Sequence, residues 1–275
     1  MSQSKQRTGV KLRFCDQRKR SRSTAFRIFH AKKPEKEVLY PTLLRCIAII
    51  LCQISKATDK VRLEAAVAQD ANEWLQQVEH YSSLLLRVID QTQRRVFNEE
   101  HVPASEKIVS FFEPHTDIIV KGKRDVEYGH KINLATQGDG YVPYLNIENG
   151  NPADKNIYMP VLKACQNNYT QMPDSVVADG GYASQANVGQ ARDSGVKRAV
   201  FNKRVGLGYH QMGVNKKIFE VLKNFRAGIE GNISELKRAF GMGQAMWKRH
   251  DGFRAYVWSS VLSYKLIHKI RFSLA

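Results

Sequence analysis

The chain is short of several things, and each shortage excludes a class of protein. Its four cysteines, Cys15, Cys46, Cys52 and Cys165, show no C-x-x-C spacing and no histidine partner at metal-site distance. A disulfide framework and a zinc module are therefore excluded, and the four read as reduced thiols, at least two at core positions. Long apolar runs are missing too. The longest, Leu43 to Ile54, is interrupted by Arg45 and is shorter than the roughly 20 residues that span a bilayer. The basic N-terminus has no apolar segment of the signal-peptide kind. No basic amphipathic helix with exposed aromatics is evident that would lie on a membrane. The expected compartment is the cytoplasm, without a membrane partner. Internal repeats are absent as well.

Acidic residues are scarce, with 26 Asp and Glu against 43 Lys and Arg and a formal net charge of +17. The imbalance is concentrated at the ends. Residues 1–36 carry 12 Lys and Arg against 2 Asp and Glu, and residues 197–275 carry 16 against 4. The stretch between holds 15 against 20. Two strongly basic surfaces around a mildly acidic middle suit a polyanion, and nucleic acid fits best. At 275 residues the chain can fold as one large domain or two modest ones.

Periodicity divides the chain near residue 104. Residues 1–38 are basic, with "RKRSR" at 18–22, and read as an arm or a broken helix making non-specific phosphate contacts. Residues 40–100 carry apolar positions at helical spacing, and the stretch from Val61 to Phe97 has neither Gly nor Pro. A hairpin of two long helices is expected there. From 105 to 275 the pattern changes. "KIVSFFEPHTDIIVKG", "YGHKINLATQ" and "YVPYLNIENG" alternate like strands, with "QGDG" (137–140) as a turn. A helix, the strand "DSVVAD", a helix at about 184–194, the strand "VKRAVF" and two long helices follow. A meander followed by alternating βα units predicts an α/β fold, a mixed sheet with flanking helices. The order of elements is that of the RNase H-like fold, here preceded by an α-helical segment.

Two places stand out chemically. Asp179 ends a strand and is followed by Gly180 and Gly181, a position where open α/β sheets gather functional groups. An ordinary strand-ending Asp before a glycine turn has the same appearance. The second place is "FRAGIEGNISELKRAF" (225–240). At about 100° per residue, Arg226, Glu230 and Lys237 project within roughly 40° of one another. Phe225, Ile229, Ile233, Leu236 and Phe240 form an apolar stripe beside them. An i,i+4 Arg–Glu pair on a solvated face is the plain alternative, although Arg before Glu is the weaker order. Gly228 and Gly231 each cost a helix interior about 1 kcal/mol relative to Ala, which predicts close approach of another backbone. Two carboxylates brought together favour Mg²⁺ over zinc.

At these residues the chain resembles a known family. "VVADGGYAS" and "FRAGIEGNISELKRAF" are similar to the DDE transposases of bacterial insertion sequences. One large group of these carries Tyr-x2-Arg-x3-Glu-x6-Lys on its glutamate helix. Arg226, Glu230 and Lys237 match that spacing, with Lys223 at the tyrosine position. "EPHTDIIVKGK…EYGHKINLA" and "GNPAD" extend the resemblance over roughly residues 105–270. It implies cleavage and strand transfer on element-end and target DNA. Asp179 and Glu230 would be catalytic ligands of Mg²⁺, two ions in a complete site, and Arg226 and Lys237 would contact DNA phosphates. His130 and Lys131 are further candidates for phosphate contact, or exposed strand residues. A homodimer and a bacterial, nucleoid-associated location are in keeping with it.

One departure matters. In relatives of this layout the first catalytic Asp lies in an Asp-Thr-Thr-like strand before a helical insertion, and residues 1–100 resemble that insertion. The expectation is a chain lacking its N-terminal part and inactive on its own, with Asp117 as the only substitute for the first carboxylate. A catalytically inactive DNA-binding remnant is the main rival reading, and a basic RNA-binding protein the lesser one. "MWKRH" (246–250) mixes an aromatic with cations as nucleic-acid surfaces do, although Trp247 also reads as a packing residue.

Overall fold

The computed structural model of the protein describes residues 7–64, 69–121, 125–202 and 206–274. It forms two compact units, residues 1–115 and 116–275.

The first unit is helical. Helix α1 spans Arg18–His30, α2 Lys33–Glu64 and α3 Gln69–Thr92. The expected broken helix is the junction of α1 and α2. Ala31 turns extended there, and Pro34 sits in the first turn of α2, where a missing N–H costs nothing. The long helical hairpin is α2 and α3, tied by Arg62 to Glu79 at 2.7 Å. Its core joins Val10, Leu12, Ala57, Val61 and Ala71. A π-helical turn, Gln93–Phe97, ends the hairpin. Arg94 then anchors the following loop through Glu100 and Glu106.

Three expectations need correction. The strand predicted from residue 107 begins only at Asp117. The Gln91 side chain bonds both the N–H and the carbonyl of Ile108, the groups a ladder would need. Of the cysteines only Cys46 is buried, with Cys165 half-buried. Third, α1 is a basic helix with exposed aromatics, Phe26 and Phe29 standing 68% and 80% exposed. Only Thr24 and Ile28 are buried in it, and five of its other eleven positions are Lys or Arg. One described helix, α2, is long and apolar enough to cross a membrane by length and composition, with an 18-residue window of mean hydropathy 1.8.

The second unit is mixed. Strands β1 (Asp117–Lys121) and β2 (Asp125–Gly129) form an antiparallel hairpin. Strands β3 (Ile132–Ala135) and β4 (Tyr144–Ile147) form another, and β5 (Ser175–Asp179) runs parallel to β6 (Arg198–Asn202). The continuous mixed sheet expected from the pattern is instead three two-stranded ladders among the described residues. Helices α4 (Asp154–Tyr169) and α5 (Gln185–Asp193) follow β4 and β5. Helices α6 (Lys216–Ala239) and α7 (Arg249–Leu274) close the chain.

Two cores hold this unit. The first packs Tyr158 and Leu162 of α4 and Val188 and Ala191 of α5 around Val200 and Phe201 of β6. In the second, Val142 and Leu145 meet Leu236 of α6 and Val257, Val261 and Tyr264 of α7. The predicted turn lies over that core. Gly140 has φ +87°, and its carbonyl accepts from the Tyr264 hydroxyl at 3.0 Å.

Tyr158 carries a cost. Its ring packs on Phe201 with centroids 4.9 Å apart, and its buried hydroxyl has no hydrogen-bond partner among the described residues. Burial pushes that hydroxyl's pKa well above its usual value. A desolvated unpaired group costs about 1–3 kcal/mol, so Tyr158→Phe should stabilise the fold by about 1 kcal/mol. Thermal melting checks it, with an expected rise of about 2–4 °C. A fall would mean that the hydroxyl is bonded.

Candidate active site

Asp179 is the last residue of β5, paired in register with Asn202 of β6. Its carboxylate Oδ1 accepts from the Gly180 N–H at 2.7 Å, which caps the single 3₁₀ turn Gly180–Tyr182. Gly181 is required by space. A Cβ there would lie 2.2 Å from Asp154 Oδ2. Asp154 opens α4 and forms an ion pair with Lys131, whose ammonium also donates to the Pro152 carbonyl at 2.7 Å. The start of α4 thus closes directly onto the turn after Asp179. Asn187 stitches the same corner, donating to the carbonyls of Lys155 and Tyr182 at 2.9 and 2.8 Å. Gly181→Ala should cost the about 1–3 kcal/mol typical of overpacking and split the Lys131–Asp154 pair. Unchanged denaturant stability in that variant would contradict the packing.

Tyr182 lies in this corner and donates to Asn133 Oδ1 at 2.8 Å. Burial, and then the charges of Asp154, Glu148 and Asp179, push its hydroxyl up to about 12. It therefore stays a neutral donor throughout the physiological range.

Glu230 arrives from α6. Asn215 caps that helix, accepting from the Ile218 N–H at 2.8 Å, and Leu236 buries its apolar side. The expected stripe is only partly realised, because Phe225 remains 48% exposed. The charged row emerges at the edge as the spacing predicts. Arg226 Nη1 lies 3.1 Å from Glu230 Oε1, and its Nη2 lies 3.4 Å from Asp179 Oδ2. One guanidinium, with its side chain only 18% exposed, therefore spans two carboxylates from separate elements that are 61% and 65% exposed. The plain i,i+4 pair exists, and it is half of a larger arrangement.

The backbone approach expected at Gly228 and Gly231 is not found. Among the described residues, a Cβ at either position meets nothing within 4 Å. The two glycines leave open space on either side of Glu230.

Lys237 is exposed on the same helix, two turns beyond Glu230. His130 and Lys131 are engaged inside the fold. His130 is 6% exposed, with Nδ1 3.1 Å from Asp117 Oδ2 and its ring against Phe253 and His250. The Asp117 carboxylate is thereby paired in the β1–β2 hairpin. Trp247 is half exposed and packs edge-on against Tyr256.

Two hard carboxylate donors converging on a positive group fit an oxygen-seeking divalent cation. Among the described residues no three His, Cys, Asp or Glu side chains cluster to hold a metal. The sequence reading missed Asp154 and Tyr182. A helix-initiating Asp in "GNPAD" was the only available signal, and it says nothing of its long-range partner.

A family model described as a transposase DDE domain matches residues 83–266, about two thirds of the chain. No match was found among the curated proteins or the solved structures. The match runs through both β5 and α6, the elements that bring Asp179 and Glu230 to one guanidinium, and the chain belongs to the transposase DDE-domain family.

Proposed function

We propose that the chain is an insertion-sequence transposase of the DDE type, which cleaves element-end DNA and joins it to target DNA with Mg²⁺. An RNase H-like core would carry the site, with β5 and β6 as its parallel strands and α6 as its glutamate helix. The observation that carries the reading is the convergence of Asp179 and Glu230 on the Arg226 guanidinium. These carboxylates would hold the metal. When bound, Mg²⁺ would activate a water or 3′-hydroxyl and stabilise the leaving oxygen of the phosphodiester. The open space beside Gly228 and Gly231 leaves room for a DNA backbone to reach Glu230. Lys237, exposed at the end of the charged row, would hold a phosphate. His130 and Lys131 would position the β1–β2 hairpin and the start of α4 through their carboxylate partners.

A second reading is DNA binding without cutting. It is favoured by the finding that two carboxylates, rather than three, converge among the described residues. The discriminating experiment is a nicking assay on supercoiled DNA bearing the element ends, run with Mg²⁺ and with chelator. Metal-dependent nicking that disappears in Asp179→Asn supports the transposase. Tight binding without nicking supports the second reading. Loss of nicking in Asp117→Asn would make Asp117 the further ligand.

A further inference from the structure

We infer that Arg226 is the built-in counter-ion of the metal site: without metal its guanidinium holds Asp179 and Glu230 together, and a divalent cation must displace it to bind. The inference rests on the proposed metal site and concerns how that site is kept in the absence of metal.

Three observations support it. First, the guanidinium reaches carboxylates on two different elements, which an ordinary i,i+4 helix pair does not do. A planar fork with several donors is suited to spanning both at once, and a lysine ammonium would hold them less firmly. Second, the exposures are unequal. Arg226 is largely covered while both carboxylates face solvent, so a cation arrives at the carboxylates from the side the arginine leaves open. Third, the guanidinium occupies Asp179 Oδ2, the oxygen of that carboxylate left for a metal. Asp179 Oδ1 is already committed to the Gly180 N–H.

A guanidinium and a divalent ion repel each other, so they cannot both occupy the gap at close range. Exchange remains easy, because an exposed ion pair of this kind is worth at most about a fivefold factor. The arginine would thus prevent two like charges from splaying the site apart, at a modest cost in metal affinity. Once displaced, its charge is free for a DNA phosphate.

The test is a titration of Mn²⁺ onto the full chain without DNA, followed by the electron paramagnetic resonance of the free ion. Arg226→Gln should bind Mn²⁺ about two- to fivefold more tightly than wild type, with Arg226→Lys in between. Unchanged or weaker binding in Arg226→Gln would overturn the inference, since the arginine would then be a bystander or a support of the metal. Asp179→Asn separates this from the underlying reading. If it leaves Mn²⁺ binding untouched, the metal lies elsewhere and both fall. If it weakens binding while Arg226→Gln brings no gain, the counter-ion inference alone falls.

Discussion

If the chain cleaves DNA as proposed, Glu230→Gln should lower Mg²⁺-dependent cleavage by more than about a hundredfold and leave DNA affinity nearly unchanged. The substitution keeps the length and helix propensity of the side chain, so α6 and its seat at Leu236 are preserved. It removes one of the two negative charges that converge on Arg226. Loss of a group that merely orients a metal ligand already costs about 10–100-fold in affinity or activity, so loss of a ligand should exceed that. Wild-type cleavage in the variant would reduce Glu230 to the partner of a surface ion pair. Binding should persist because most of the positive charge lies elsewhere. It sits at the two ends of the chain, which together carry a net +22.

That charge supports the second large effect. Affinity for DNA should fall by about 10³–10⁵ between 50 and 200 mM salt if six to ten phosphates are neutralised. The candidates are exposed. Lys19, Arg20, Arg22 and Arg27 line α1, and Lys216, Lys217, Lys237 and Arg238 lie on α6. Arg18 is held by Asp16 at 2.8 Å and should contribute less. Each phosphate contact adds about −0.9 to the slope of log affinity against log salt. Replacing Lys19, Arg20 and Arg22 by alanine should therefore flatten the slope by up to nearly three units. Fluorescence anisotropy across a salt series measures both. A flat dependence would remove nucleic acid as the partner, and an unchanged slope in the triple variant would take α1 out of the contact.

How much of this was legible in the sequence depends on the range of the interactions involved. The helices were readable because 3.6-residue periodicity is local, and the start of α6 is set by one side chain, Asn215. The Arg226–Glu230 pair was readable for the same reason, lying one turn apart. The contact from Arg226 to Asp179 was not, since it joins a helix to the end of a distant strand. Gly228 and Gly231 showed that space is needed beside Glu230 but not what fills it. The expectation was close approach of another backbone, and the described residues leave that side open. Strand pairing fared worst. Alternation marked β3 and β4, yet nothing local revealed three separate ladders or the side chain of Gln91 holding Ile108 out of any ladder. The inward engagement of His130 and Lys131 has the same cause, because each is decided by an acidic partner elsewhere, Asp117 and Asp154.

If Asp179 and Glu230 hold one metal between them, metal-directed backbone cleavage will mark both. Fe²⁺ takes the place of Mg²⁺, ascorbate and peroxide generate hydroxyl radicals at the bound ion, and mass spectrometry locates the cuts. Two clusters of cuts are expected in wild type, at residues 179–181 and near 226–230, both suppressed by excess Mg²⁺ and lost in Glu230→Gln. Cuts elsewhere in the chain, or cuts at these positions that persist in Glu230→Gln, would contradict a shared metal.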